Sequence, residues 1–188
     1  MKQLGLAVIL LAVFVMVLAP SSAKAQTACN AANWSGQTCT SSTPCTITCT
    51  TTTCNGTAGN DVICGTDATQ TFNADAGHDC IRAGGGSDTV NAGSGNDCVY
   101  AGYGDDTVYG EGGTDELHGG WGEDPLYGGE DSNDRLEGGH CNDTLNGGGG
   151  TGDSCPGGTG LDVHDGGCEP FDQGPSASET GGKCDFRQ

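Results

Sequence analysis

Residues 83–109 read AGGGSDTVN, AGSGNDCVY and AGYGDDTVY, three nine-residue phrases in unbroken succession. Each has a small residue at place one, Gly at place four, Asp at place six and an apolar residue at place eight. The phrase continues in both directions. Twelve copies start at 56, 65, 74, 83, 92, 101, 110, 119, 128, 138, 147 and 157, and the last ends at Asp165. Ten copies hold nine residues, and those starting at 128 and 147 hold ten. Glycine supplies the positive φ of a tight turn, so places one to six read as a turn and places seven to nine as a short strand. Such a strand turns only place eight inward. The inward residues are then Ile63, Phe72, Ile81, Val90, Val99, Val108, Leu117, Leu126, Leu136, Leu145, Cys155 and His164. One buried side chain per copy cannot build a free-standing core, but stacked copies can share one, which predicts an all-β solenoid. A disordered Gly/Asp linker would not hold an apolar residue at the same place in ten of twelve copies.

Two copies make one coil, so residues eighteen apart stack. Place six then forms two columns. The first is Asp61, Asp79, Asp97, Asp115, Asp134 and Asp153; the second is Gln70, Asp88, Asp106, Asp124, Asp143 and Asp162. Carboxylates about 5 Å apart repel unless a cation lies between them. Calcium suits such turns, because it takes six to eight oxygens from carboxylates and backbone carbonyls in a flexible geometry. The eleven aspartates of the two columns are the candidate metal ligands. Three departures are expected to weaken some sites: Gln70 in place of Asp, Asp131 and Cys141 where Gly is expected, and the extra residues of the copies at 128 and 147.

The phrase resembles the calcium-binding repeats-in-toxin, or haemolysin-type, nonapeptide G-G-x-G-x-D-x-U-x, where U is apolar. Gly119–Tyr127, GGWGEDPLY, fits all nine places. The resemblance covers 56–165 and implies a right-handed parallel β-roll with Ca2+ held between successive turns on each side. It implies no enzyme, because in that family the roll accompanies many activities. The expected number of ions is about four to seven, each with an oxygen shell of the calcium type.

The rest of the chain frames the repeats. Of 188 residues, 25 are Asp or Glu and 6 are Lys or Arg, a net charge of −19. That balance argues against nucleic acid as a partner, since phosphate contacts need Lys and Arg, and against simple charge attraction to anionic lipid. Residues 1–25 read as a secretory signal peptide: Lys2 is the basic start, 4–19 the apolar core and Ala23-Lys24-Ala25 the cleavage site. The core is short for a membrane span, which needs about 20 residues, although an uncleaved anchor is the alternative. No membrane span is expected after cleavage, and the protein is expected outside the cell. All twelve cysteines follow residue 25. In an exported chain they read as disulfides, with zinc as the rival for Cys45, Cys49 and Cys54. Cys80 and Cys98, eighteen apart on stacked strands, are the expected pair. Residues 26–55, rich in Thr, Ser and Cys, read as a disulfide-tied cap with a strand near 46–50, and 166–188 as a Cys-containing tail.

No HExxH, nucleophile elbow or phosphate loop is present. His78, His118, His140 and His164 fall at four different places of the repeat. A catalytic centre is therefore not expected. A second reading rests on the outer face. There Thr71, Thr89, Thr107, Pro125, Thr144 and Val163 stand beside Asn73, Asn91, Tyr109, Tyr127, Asn146 and Asp165. Such ranks resemble the surface- or ice-binding faces of some calcium-dependent adhesins, although Thr also simply suits an exposed strand.

Overall fold

The computed structural model describes residues 43–169. The proposed signal peptide, most of the N-terminal cap and most of the C-terminal tail lie outside them. Fourteen strands follow in chain order: β1 Ile47–Thr48, β2 Thr53–Asn55, β3 Val62–Cys64, β4 Thr71–Asn73, β5 Cys80–Gly85, β6 Thr89–Ser94, β7 Cys98–Tyr103, β8 Thr107–Gly112, β9 Glu116–Trp121, β10 Pro125–Gly129, β11 Arg135–His140, β12 Thr144–Gly148, β13 Gly158–Thr159 and β14 Val163–His164. Odd strands form one seven-stranded sheet and even strands the other. Every strand pairing is parallel. This is the expected roll, with about seven turns.

The shared core is a single file of side chains between the two sheets. Ile63, Phe72, Ile81, Val90, Val99, Val108, Leu117, Leu126, Leu136 and Leu145 are completely buried, and Cys155 nearly so. His164 is only partly buried, and its Nε2 lies 2.9 Å from the Cys155 carbonyl oxygen.

Several details differ from the sequence expectation. Place one also faces inward: Ala74, Ala83, Ala92 and Ala101 are completely buried. The central strands run six residues, through places seven to nine and on into places one to three of the next copy, as in the pairing of Gly84 with Gly102. Alternation then continues, so places eight and one point in and place nine points out. The roll also begins before the first repeat. Ile47 pairs in register with Ile63 and Cys54 with Phe72, so residues 46–55 form a coil of their own. They carry almost none of the Gly and Asp that mark the later turns.

The extra residues at 128–137 and 147–156 do not break the stack. Leu117 still faces Leu136 and Leu126 still faces Leu145 across the first, and Leu145 faces His164 across the second, each nineteen residues on. The additional residue is absorbed in the turn ahead of the aspartate, with Asn133 in a left-handed conformation at φ 68°. Cys141 likewise takes the left-handed conformation expected of Gly, at φ 95°.

Disulfides join Cys45 to Cys64, Cys49 to Cys54 and Cys155 to Cys168. The cysteines considered for zinc are therefore divided between two crosslinks. Cys80 and Cys98 are both oxidised and pair in register, yet a bond between them is not among the three that join described residues. They belong instead to a buried cluster with Val62 and Tyr100 on the outer face of the odd-numbered sheet. Next to it, His118 stacks on Tyr100 at 4.8 Å and contacts Glu116 and Glu137.

Candidate metal centre

The two columns of place-six residues form as expected, one along each line of turns. Ten of the eleven aspartates are buried, and Asp162, at the end of its column, is partly exposed. Each stacks on its neighbour through a hydrogen bond that the sequence did not reveal. The backbone N–H of one place-six residue donates to Oδ1 of the aspartate one coil further on. In the first column Asp61 donates to Asp79, Asp79 to Asp97, Asp97 to Asp115, Asp115 to Asp134 and Asp134 to Asp153, at 2.7–2.9 Å. In the second, Gln70 donates to Asp88, Asp88 to Asp106, Asp106 to Asp124, Asp124 to Asp143 and Asp143 to Asp162, at 2.7–3.0 Å. Both ladders cross the ten-residue copies unbroken.

That bond occupies one carboxylate oxygen. The second, Oδ2, is buried without a hydrogen-bond partner in nine aspartates: Asp79, Asp88, Asp97, Asp106, Asp115, Asp124, Asp134, Asp143 and Asp153. A buried acceptor without a donor costs about 1–3 kcal/mol, and more if charged. The surroundings add acceptors instead of donors. A methyl group on Gly110 would overlap both Oδ2 of Asp115 and the carbonyl oxygen of Gly128 in the next coil. Gly119, Gly128 and Gly138 stand in the same relation to Asp124, Asp134 and Asp143. There, carboxylate and carbonyl oxygens converge on space that only glycine leaves clear; in the copies from 74 to 101 the same place is Ala.

Electrostatics follow from burial. Removal from water pushes Asp97, Asp106 and Asp143 up to about 8, Asp115 and Asp124 to about 7, and Asp79, Asp88 and Asp134 to about 6, while the donated backbone N–H opposes the shift. The metal-free roll therefore holds protons that the unfolded chain releases near 3.9. Its stability is greatest below that value and is lost as pH rises through 6 to 8. Calcium reverses the dependence, because protons and metal compete for the same oxygens. Circular dichroism is expected to show a chelated chain with more β-structure at pH 5 than at pH 8.5, and a calcium midpoint that falls as pH rises between the two. A chelated chain equally structured at both would contradict the buried carboxylates.

Among the described residues, no three His, Cys, Asp or Glu side chains converge as a metal cluster. An ion in the turns would complete its shell with backbone carbonyls and water. An all-oxygen set of carboxylates and carbonyls, without imidazole or thiolate, suits a hard cation that tolerates high and irregular coordination.

Fold and turns together define a parallel β-roll with stacked acidic turns. Residues 65–97, 99–126 and 129–152 match the RTX calcium-binding nonapeptide repeat (4 copies). The chain thus carries the calcium-binding repeats of that family, and its roll is of the calcium-binding kind. No curated protein and no solved structure matches the chain.

Proposed function

We propose that this is a secreted protein whose roll folds on binding several calcium ions outside the cell, and that the roll has no catalytic centre. The observation that carries the reading is the set of nine buried Oδ2 atoms without a donor. Calcium supplies what each lacks, and neutralises two lines of carboxylates in a strongly acidic chain. The aspartates hold the metal and position it through the ladder: Oδ1 is fixed by the neighbouring backbone N–H, which leaves Oδ2 directed at the ion. Disulfides in the described coils and the reading of residues 1–25 as a signal peptide support export.

Successive partnerless oxygens form four stacked pairs in the first column, from Asp79 to Asp153, and three in the second, from Asp88 to Asp143. Isothermal titration of the mature chain with calcium is expected to give about four to seven ions of the six-to-eight-oxygen type. One ion or none would overturn the reading.

An adhesive or ice-binding face is not favoured. Thr53, Thr71, Thr89 and Thr107 do align in register. The neighbouring amides, however, bond one another along the axis, Asn73 to Asn55 at 3.0 Å and Asn91 to Asn73 at 2.9 Å. Tyr109 and Tyr127, in place of Asn, stack face to face at 5.0 Å. An ice-recrystallisation assay with and without calcium separates the two readings.

A further inference from the structure

The first two repeats close their turns differently from the ten that follow. In every copy from the third onward, place two is left-handed: Asp75, Gly84, Gly93, Gly102, Glu111, Gly120, Gly129, Gly139, Gly148 and Gly158 all have positive φ. In the first two copies place two is Thr57 or Thr66, and neither has positive φ. A β-branched residue resists that conformation.

The consequence is a hydrogen-bonded turn. The N–H and Oγ1 of Thr57 both donate to Oδ2 of Asp61, at 2.8 and 2.9 Å. The N–H and Oγ1 of Thr66 donate to Oε1 of Gln70, at 2.8 and 3.1 Å. The oxygen that lacks a donor in the next nine aspartates is doubly satisfied here. Gln70 goes further. Its Nε2 donates to the carbonyl oxygen of Thr51 at 2.5 Å and to that of Cys49 at 3.5 Å. An uncharged amide thus reaches the carbonyls of the preceding turn, as a cation would. Both turns sit against the coil crosslinked by Cys49–Cys54 and tied to β3 by Cys45–Cys64.

Resting on the calcium reading above, we propose that the first coil, residues 56–73, folds without calcium and serves as the template on which calcium orders the later coils, starting at Asp79 and Asp88. Thr57 and Thr66 act as latches, and the Gln70 amide stands in for an ion. Asp61 then belongs to the latch instead of the ligand set. The template presents a ready edge: the N–H groups of Asp61 and Gln70 already point at Oδ1 of Asp79 and Asp88. Those two bonds hold the next pair of carboxylates in place before any ion arrives. The costly nucleus of a repeat array is thereby supplied by side chains, and growth runs from the N-terminal end.

The test is hydrogen exchange on the full mature chain, with peptides covering 56–73 compared with 97–145. In excess chelator, amides of 56–73 are expected to exchange at least roughly tenfold more slowly than those of 97–145, and calcium is expected to remove most of the difference. If calcium protects both regions together, from equally fast exchange, the template fails while the calcium reading stands. If both regions stay protected in chelator, the calcium reading fails and takes the template with it. A variant tests the proposal from the opposite direction. Thr66→Gly with Gln70→Asp converts the second latch into an acidic turn with glycine at place two. It is expected to bind one more calcium ion by native mass spectrometry and to lose the first coil's protection in chelator. Unchanged stoichiometry and unchanged protection would overturn the proposal.

Discussion

Excess chelator at pH 8.5, above the raised carboxylate values, is expected to remove most of the β-structure of residues 74–127 while the disulfide-tied N-terminal coil stays folded. The partnerless oxygens decide this. Nine buried Oδ2 atoms lack a donor, and each costs about 1–3 kcal/mol, more when ionised. Nine of them sum to about 9–27 kcal/mol, comparable with or larger than the roughly 5–15 kcal/mol by which an ordinary domain is stable at all. The core cannot compensate, because place eight is one side chain per copy and place one is Ala or Gly over most of the roll. Protonation relieves part of the cost at acidic pH, but above 8 it no longer does so for any of the carboxylates with raised values. Calcium binds the folded turns and not the unfolded chain, so it stabilises by mass action. Calcium added back is expected to restore the circular dichroism β-signal. Magnesium is expected to restore little of it, because it demands a tighter octahedron and gives up water reluctantly. A β-signal indifferent to chelator would show that side chains and disulfides suffice.

What the sequence reveals of this fold is set by how many residues carry each signal. The period of nine repeats twelve times, so the coil, the two columns and the inward file from Ile63 to Leu145 are all legible from spacing alone. Features that occur once are not. The coil at 46–55 has two short strands and no acidic turn, so only its strand-like Thr-Ile-Thr segment hints at it. The inward role of place one is hidden because Ala and Gly there read equally well as turn residues. The Oδ1 ladder is invisible for a different reason. An aspartate that binds metal and an aspartate that accepts a backbone N–H look the same in sequence, and here one side chain has both capacities. The latches do leave a trace: Thr57 and Thr66 stand where Gly84, Gly93 and Gly102 stand later. The ten-residue copies show the opposite failure, since an insertion that ought to disturb stacking is absorbed within a turn. Asp134 and Asp153 keep their places in the column.

Gly95→Ala is expected to break the roll in its middle, with a loss of about 3 kcal/mol or more from strained backbone and overpacking together. Gly95 holds place four, with φ at 130°, a conformation that side-chain-bearing residues rarely adopt. Space forbids the methyl as well: it would overlap the carbonyl oxygen of Gly77 in the coil before. Neither backbone can retreat. Gly77 donates its N–H to Ser94 at 2.9 Å and Gly95 its own to Gly112 at 2.7 Å, so the turns are bonded to one another along the axis. Gly104, Gly113 and Gly122 meet the preceding coil in the same way, so place four is a direct backbone-on-backbone contact through the middle of the stack. Gly112→Ala is the control. Gly112 is not left-handed, and the nearest atom to its added methyl is the exposed end of Asp131 at 3.7 Å. The control variant is expected to keep the calcium midpoint of the parent, while Gly95→Ala requires far more calcium or fails to recover the β-signal. Equal midpoints for the two would mean that successive turns lie further apart than a direct stack of backbone on backbone allows.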